Sequence, residues 1–131
     1  MGNIIQLSKS SPTSEWIDMS NQGTDCFLEL LIMAANDLEK TDHQEDLISF
    51  LKDQKDINDI APGTAGFKLD EMPWCDETLI DDASFLIRVT KEAQSESVLS
   101  KLPYKVNTEI VFPWLKQFAV LIEQMITASE Q

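Results

Sequence analysis

The stretch Asp25–Lys40, DCFLELLIMAANDLEK, most restricts the folds open to this chain. Every position from Leu30 to Ala35 is apolar, and Cys26, Phe27 and Leu28 extend the run towards its start. Leu, Met and Ala favour helix, and neither Gly nor Pro interrupts them. Phe27, Leu30, Leu31, Ala34 and Leu38 share one helical face, with Leu28 and Ile32 on its flank. A helix apolar over most of its circumference is buried among other elements. Glu29 and Asn36 break the run, which is too short for a bilayer span of about 20 mostly apolar residues. The stretch therefore predicts the central helix of a compact domain, with Thr24 as its N-cap and Lys40 in its last turn.

The flanking sequence predicts what surrounds that helix. Asn3–Leu7 is a short β-compatible run, followed by a polar cluster from Ser8 to Ser11. Pro12 stands where it could open a short helix, SEWIDMSNQ, with Trp16 and Met19 on one face and Gly23 ending it. After the central helix, Thr41 or Asp42 is placed to cap a second one, HQEDLISFLKDQKD, with Glu45 in a capping box from Asp42 or in the first turn. Its buried stripe is Leu47, Ile48, Phe50 and Leu51, continued weakly by Ile57 and Ile60 until Ala61-Pro62-Gly63 breaks the chain. The run from Pro62 to Trp74 reads as a long ordered loop with one possible short strand at Gly66–Leu69.

Asp76 and Glu77 start a third helix, DETLIDDASFLIRVTKEAQ, with Leu79, Ile80, Ala83, Leu86, Ile87 and Thr90 on one broad face. Ser84–Thr90 also reads as a strand, being rich in bulky and branched residues; helix is the preferred reading. Pro113 is placed at the first position of a last helix, in which Trp114, Phe118, Leu121, Ile122 and Met125 align to pack on the central one. The tail ASEQ is expected to fray. The expected fold is all-α: a compact bundle of four principal helices with one long ordered loop, in a single domain spanning residues 1–131.

Charge excludes several functions. The chain of 131 residues carries a formal net charge of -13, while three Trp and six Phe argue against disorder. Nucleic acid needs a basic footprint, so nucleic-acid binding is not expected, and anionic membranes are disfavoured for the same reason. A basic protein is the natural electrostatic complement, although acidity alone also serves solubility. Cys26 and Cys75 lie far apart, and with His43 as the one histidine they make neither a zinc site nor a disulfide framework. The first ten residues lack a basic segment followed by an apolar core, so no secretory signal is expected and a reducing cytoplasm is the expected compartment.

Catalytic constellations are missing from the sequence. It holds no phosphate-cradling glycine loop and no nucleophile elbow. His43 stands among Asp42, Gln44, Glu45 and Asp46, the setting of a solvated surface histidine. Asp53, Asp56 and Asp59 lack the Gly and closing Glu of a calcium loop. No cofactor is expected. Carboxylates alone could hold Mg²⁺ in an all-α nucleotide hydrolase, with Glu29, Glu77 and Asp81 as the acids available. The plainer reading of Glu29 is an edge position or a pair with a lysine from a neighbouring helix.

Between Asp53 and Asp82, nine acids are opposed by Lys55 and Lys68 alone, with Phe67, Met72 and Trp74 embedded among them. Acids around an exposed aromatic describe a rim that steers a basic partner and an anchor that holds it. The expected partner-binding residues are Asp70, Glu71, Trp74, Asp76, Glu77, Asp81 and Asp82. Equally, Trp74 could pack the loop onto the core, and Asp76 and Glu77 could be ordinary first-turn acids. In size, acidity and absence of catalytic machinery the chain resembles small bacterial immunity proteins and other acidic inhibitors of basic proteins. That resemblance implies a non-enzymatic partner for a nuclease-type toxin and assigns no residue. The other readings are the metal-dependent hydrolase and a structural or adaptor subunit.

Overall fold

In the computed structural model, residues 3–8 and 15–129 are described. Helix α1 (Asn21–Asn36) is the predicted central element, and Phe27, Leu28, Leu30, Leu31, Ala34 and Ala35 are all but completely buried in it. Helices α2 (Asp42–Ile60), α3 (Leu79–Glu92), α4 (Glu96–Leu99) and α5 (Thr108–Ser129) all pack against α1.

The bounds of α1 differ from expectation at both ends. Its N-cap is Ser20, whose Oγ accepts from Gly23 N at 3.0 Å. Thr24 lies inside the helix and donates its hydroxyl to Ser20 O at 2.7 Å. Gly23 thus does not end an element; it admits a neighbour, because a Cβ there would lie 2.5 Å from the Trp114 ring of α5. At the other end, Lys40 stands beyond the helix and donates Nζ to Ala35 O at 2.6 Å and Leu38 O at 2.9 Å, satisfying terminal carbonyls. Helix α2 begins on Thr41 with a capping box, but its partner is Gln44 and not Glu45. Leu47, Ile48 and Leu51 are buried as predicted, while Ile57 and Ile60 face solvent. Gly63, at φ 91°, turns the chain after this helix.

A small sheet replaces the expected first helix. Strands β1 (Asn3–Gln6), β2 (Ile17–Met19) and β3 (Phe67–Lys68) are ordered β2-β1-β3, with β1 antiparallel to β2 and parallel to β3. Ile17 and Met19 are both buried with Asp18 exposed between them, a period of two that suits a strand and not a helix. The start of the expected helix, up to Ser14, lies outside the described residues. Ile5 opposes both Ile17 and Phe67, so the inner face of the sheet is apolar apart from buried Asn3, which opposes Met19. Phe67 then stands edge-on to Phe50 of α2 (centroids 5.1 Å apart) and Phe118 of α5 (6.4 Å), and Phe118 edge-on to Phe27 of α1 (5.6 Å). These aromatic contacts join sheet and helices in one core.

The segment 84–90 is helical, within α3, so the strand alternative fails. The buried face of α3 is nevertheless rotated from the expected one: Asp82, Ala83, Phe85, Leu86, Val89 and Thr90 point inward, and Ile80 points out. Pro113 lies within α5, five residues past its start and not at its first position, and α5 runs on through Ser129. Trp114, Phe118, Leu121, Ile122 and Met125 all join the core or pack on it as expected, whereas the tail residues Glu130 and Gln131 lie outside the described residues. The fold is mainly helical, as predicted, with α1, α2, α3 and α5 at the four expected places and β3 as the short strand of the expected loop, but among the described residues it adds a three-stranded sheet and the four-residue helix α4.

Candidate functional site

The segment expected to bind a partner follows β3 and is built by alternation of inward apolar and outward acidic residues. Leu69 and Met72 are buried, so the 3₁₀ turn Leu69–Glu71 presents Asp70 and Glu71 to solvent. Trp74 does not project as a free anchor. Its Nε1 donates to Leu69 O at 2.7 Å and its half-buried ring packs on the core, which is the packing reading of this residue. A second 3₁₀ turn, Asp76–Thr78, leads directly into α3. Asp76, Glu77 and Asp81 are exposed there.

Asp82 is a correction to the expected set. It is 1% exposed, with Oδ1 accepting from Gln44 Nε2 at 3.1 Å and Oδ2 from Thr78 Oγ1 at 2.6 Å. Its position in the first turn of α3 also suits a carboxylate. Asp82 thus ties the start of α3 to the start of α2 and is not part of the outer surface. Sequence reasoning missed Ile80, assigned to the core but 55% exposed, in the same short segment as the exposed Asp76, Glu77 and Asp81. Its signal would have been the correct phase of α3, which depends on whether Phe85 and Val89 or Ile80 face inward.

A second locus lies between α1 and α2. Asp25 and Glu29 are one turn apart on α1, and Lys55 and Asp59 one turn apart on α2, so packing the two helices brings four charged groups together. Lys55 Nζ lies 3.2 Å from Asp25, 3.7 Å from Glu29 and 3.4 Å from Asp59. Glu29 therefore takes the lysine-paired reading. Burial and the neighbouring Asp59 raise the Asp25 carboxyl above its ordinary range, against the opposing pull of Lys55. Burial would lower Lys55, but its contacts with Asp25 and Asp59 outweigh that and hold it above its ordinary value.

An open cleft of about 470 Å³ adjoins this cluster, lined by Asn21, Gln22, Asp25, Asn58, Asp59 and Tyr104 among others. Its floor is held from behind. Asn58 Nδ2 donates to Asn21 O at 2.9 Å, and its Oδ1 accepts from Asn3 Nδ2 of β1 at 3.0 Å. Asn3 Nδ2 also donates to Thr24 Oγ1 at 2.8 Å, so buried amides link sheet, α1 and α2. Tyr104 stands beside Cys26, and burial together with that neighbour pushes its hydroxyl up to about 12. Nearly half of Tyr104 is exposed, and the residue lines the cleft. Burial likewise pushes the Cys26 thiol up, away from the thiolate a nucleophile requires.

Compared with family models, curated proteins and solved structures, the chain has no match. Its chemistry is therefore read from its own side chains. Among the described residues no group of three His, Cys, Asp or Glu side chains is placed to hold a metal ion, so Glu29, Glu77 and Asp81 do not converge. His43 is exposed, as its sequence setting predicts. Among the described residues, no helix is long and apolar enough to cross a membrane. The described residues thus leave Asp70, Glu71, Asp76, Glu77 and Asp81 exposed on the segment that carries exposed Ile80, and an acid-walled cleft beside Tyr104.

Proposed function

We propose that this protein is a non-enzymatic binding protein that captures a basic protein through Asp70, Glu71, Asp76, Glu77 and Asp81. The observation that carries the reading is the exposure of Ile80 at the point where Asp76, Glu77 and Asp81 meet the start of α3. A large apolar side chain within a charged rim is the arrangement of an interface anchor and its steering charges. Within the stretch from Leu69 to Asp82 no basic residue offsets the acids, and Lys68 just before it is engaged with Glu71 at 3.0 Å.

The mechanism is occlusion. Carboxylates cover the Lys/Arg surface through which a basic partner would otherwise hold phosphates, and the field of the acidic chain speeds the encounter. A nuclease-type toxin is the partner class that this chemistry suits, with the chain as its immunity protein. Trp74 contributes indirectly, fastening the loop that carries Asp70 and Glu71. The test is capture from the native source on the immobilised protein at low salt and again at high salt, with bound proteins identified by mass. A basic protein held at low salt and released at high salt is the expected result. Retention of only acidic proteins, or none, would overturn the reading.

A further inference from the structure

We propose that the exposed C-terminal end of α2 is a docking surface for a basic amphipathic helix of another protein. The phase of α2 is set by its buried residues Leu47, Ile48, Leu51 and Asn58, and Ile57 and Ile60 fall outside that stripe. These two stand one turn apart on the helix surface, 39% and 85% exposed. The apolar ground goes on past the helix, because Ala61 and Pro62 are exposed as well. Pro62 in turn lines the same cleft as half-exposed Tyr104. A single exposed isoleucine is ordinary on a protein surface. Two of them at helical spacing, followed by an exposed proline beside a tyrosine-lined cleft, have the composition of an interface centre. This surface shares no residue with the segment Asp70–Asp81 and goes beyond the function proposed above.

Charge selects the occupant. Asp53 and Asp56 are exposed one turn before Ile57 and Ile60, so each isoleucine has a carboxylate as its neighbour along the helix. Exposed Lys52 offsets one of these acids, and Lys55 is engaged with Asp25, Glu29 and Asp59. A second copy of this chain would bring a further net charge of -13 to an acidic surface, and an anionic membrane would be repelled for the same reason. A partner whose Lys or Arg side chains flank apolar ones complements both features. An exposed helix flank with anchors at i and i+3 suits another helix, whose own anchors recur at that spacing. Its apolar face packs on Ile57 and Ile60, and its basic side chains meet Asp53 and Asp56.

The test titrates the full chain, labelled with ¹⁵N, with a synthetic helical peptide bearing leucines on one face and lysines on the other. A scrambled peptide of the same composition keeps the charge and removes the apolar face. Saturable shifts centred on residues 53–62 are expected with the amphipathic peptide, and clearly weaker binding with the scrambled one. Ile57→Ser combined with Ile60→Ser, both at exposed positions, should weaken the binding by about tenfold or more, as loss of interface anchors does, and leave the rest of the spectrum in place. Ile80→Ser should leave this binding unchanged, which separates it from the surface proposed above. Shifts centred on Asp76–Asp81, equal binding of the scrambled peptide, binding that survives the double substitution, or no saturable binding would overturn the proposal. Shifts at Ile57 and Ile60 on concentrating the chain alone would overturn it too, by assigning the surface to a second copy.

Discussion

Tyr104 is the chain's single tyrosine, so its phenolate absorbance reports one site without interference. Burial of the hydroxyl beside Cys26 favours the neutral form and places its titration at about 12. In the unfolded chain it should return to about 10. A native titration near 10 would contradict the packing of this residue in the cleft. The sign for stability follows: the folded pKa is raised, so the contribution of Tyr104 is full below about 10 and is lost as pH rises towards about 12. Asp82 supports a second prediction. Asp82→Ala leaves the buried Gln44 amide and the half-buried Thr78 hydroxyl without this partner and should cost about 1–3 kcal/mol in denaturant unfolding. A rim residue would instead change partner binding at unchanged stability. That Asp82 points inward was not legible in the sequence, because its partner Gln44 lies 38 residues away and nothing local distinguishes it from exposed Asp81. Trp74 was legible only as a choice between anchor and packing, and the Leu69 carbonyl decides it for packing.

Helices α1 and α5 were legible because each is long and apolar on a face its composition makes unmistakable. Helix α1 needed no partner to be identified as central, since almost every side chain from Cys26 to Ala35 demands burial. Strand β2 was hidden for the opposite reason: three residues carry it, and Trp16 and Met19 happen to fall at helical spacing. Its identity comes from pairing with β1, an interaction no local pattern encodes. Helix α3 was recognised as a helix but in the wrong phase, because apolar residues occur on both candidate faces and only the neighbouring helices choose between them. At Gly23 a helix rule reverses sign. Gly→Ala within a helix ordinarily gains up to about 1 kcal/mol. Here the new methyl would meet the Trp114 ring at 2.5 Å and the capping Ser20 Oγ at 2.8 Å, so overpacking should dominate. Gly23→Ala should destabilise by about 1–3 kcal/mol, and much of that loss should vanish when Trp114 is also replaced by a smaller residue. A stabilised Gly23→Ala protein would mean that α1 and α5 do not approach as closely as described.

At the scale of the whole molecule, the described residues gather most of their apolar side chains in one core and leave most of their charge outside, with Asp82 a buried exception. A net charge of -13 on 131 residues produces a field reaching roughly one Debye length, about 10 Å at 0.1 M salt. That field was fully legible in the composition. The placement of the expected residues was legible in part: Asp70, Glu71, Asp76, Glu77 and Asp81 do lie outward, Trp74 packs on the core and Asp82 is buried, and the exposure of Ile80 emerges only from the packing of α3. The central claim is that these five acids steer a basic partner on to this surface. It is tested most directly by measuring the association rate of the captured partner across a salt series. Wild type is compared with one variant carrying Asp70→Asn, Glu71→Gln, Asp76→Asn, Glu77→Gln and Asp81→Asn. The account predicts an association rate lower by about tenfold or more at low salt and a flattened salt dependence, within the range that electrostatic steering supplies. Identical rates and identical salt slopes for the two proteins would contradict it.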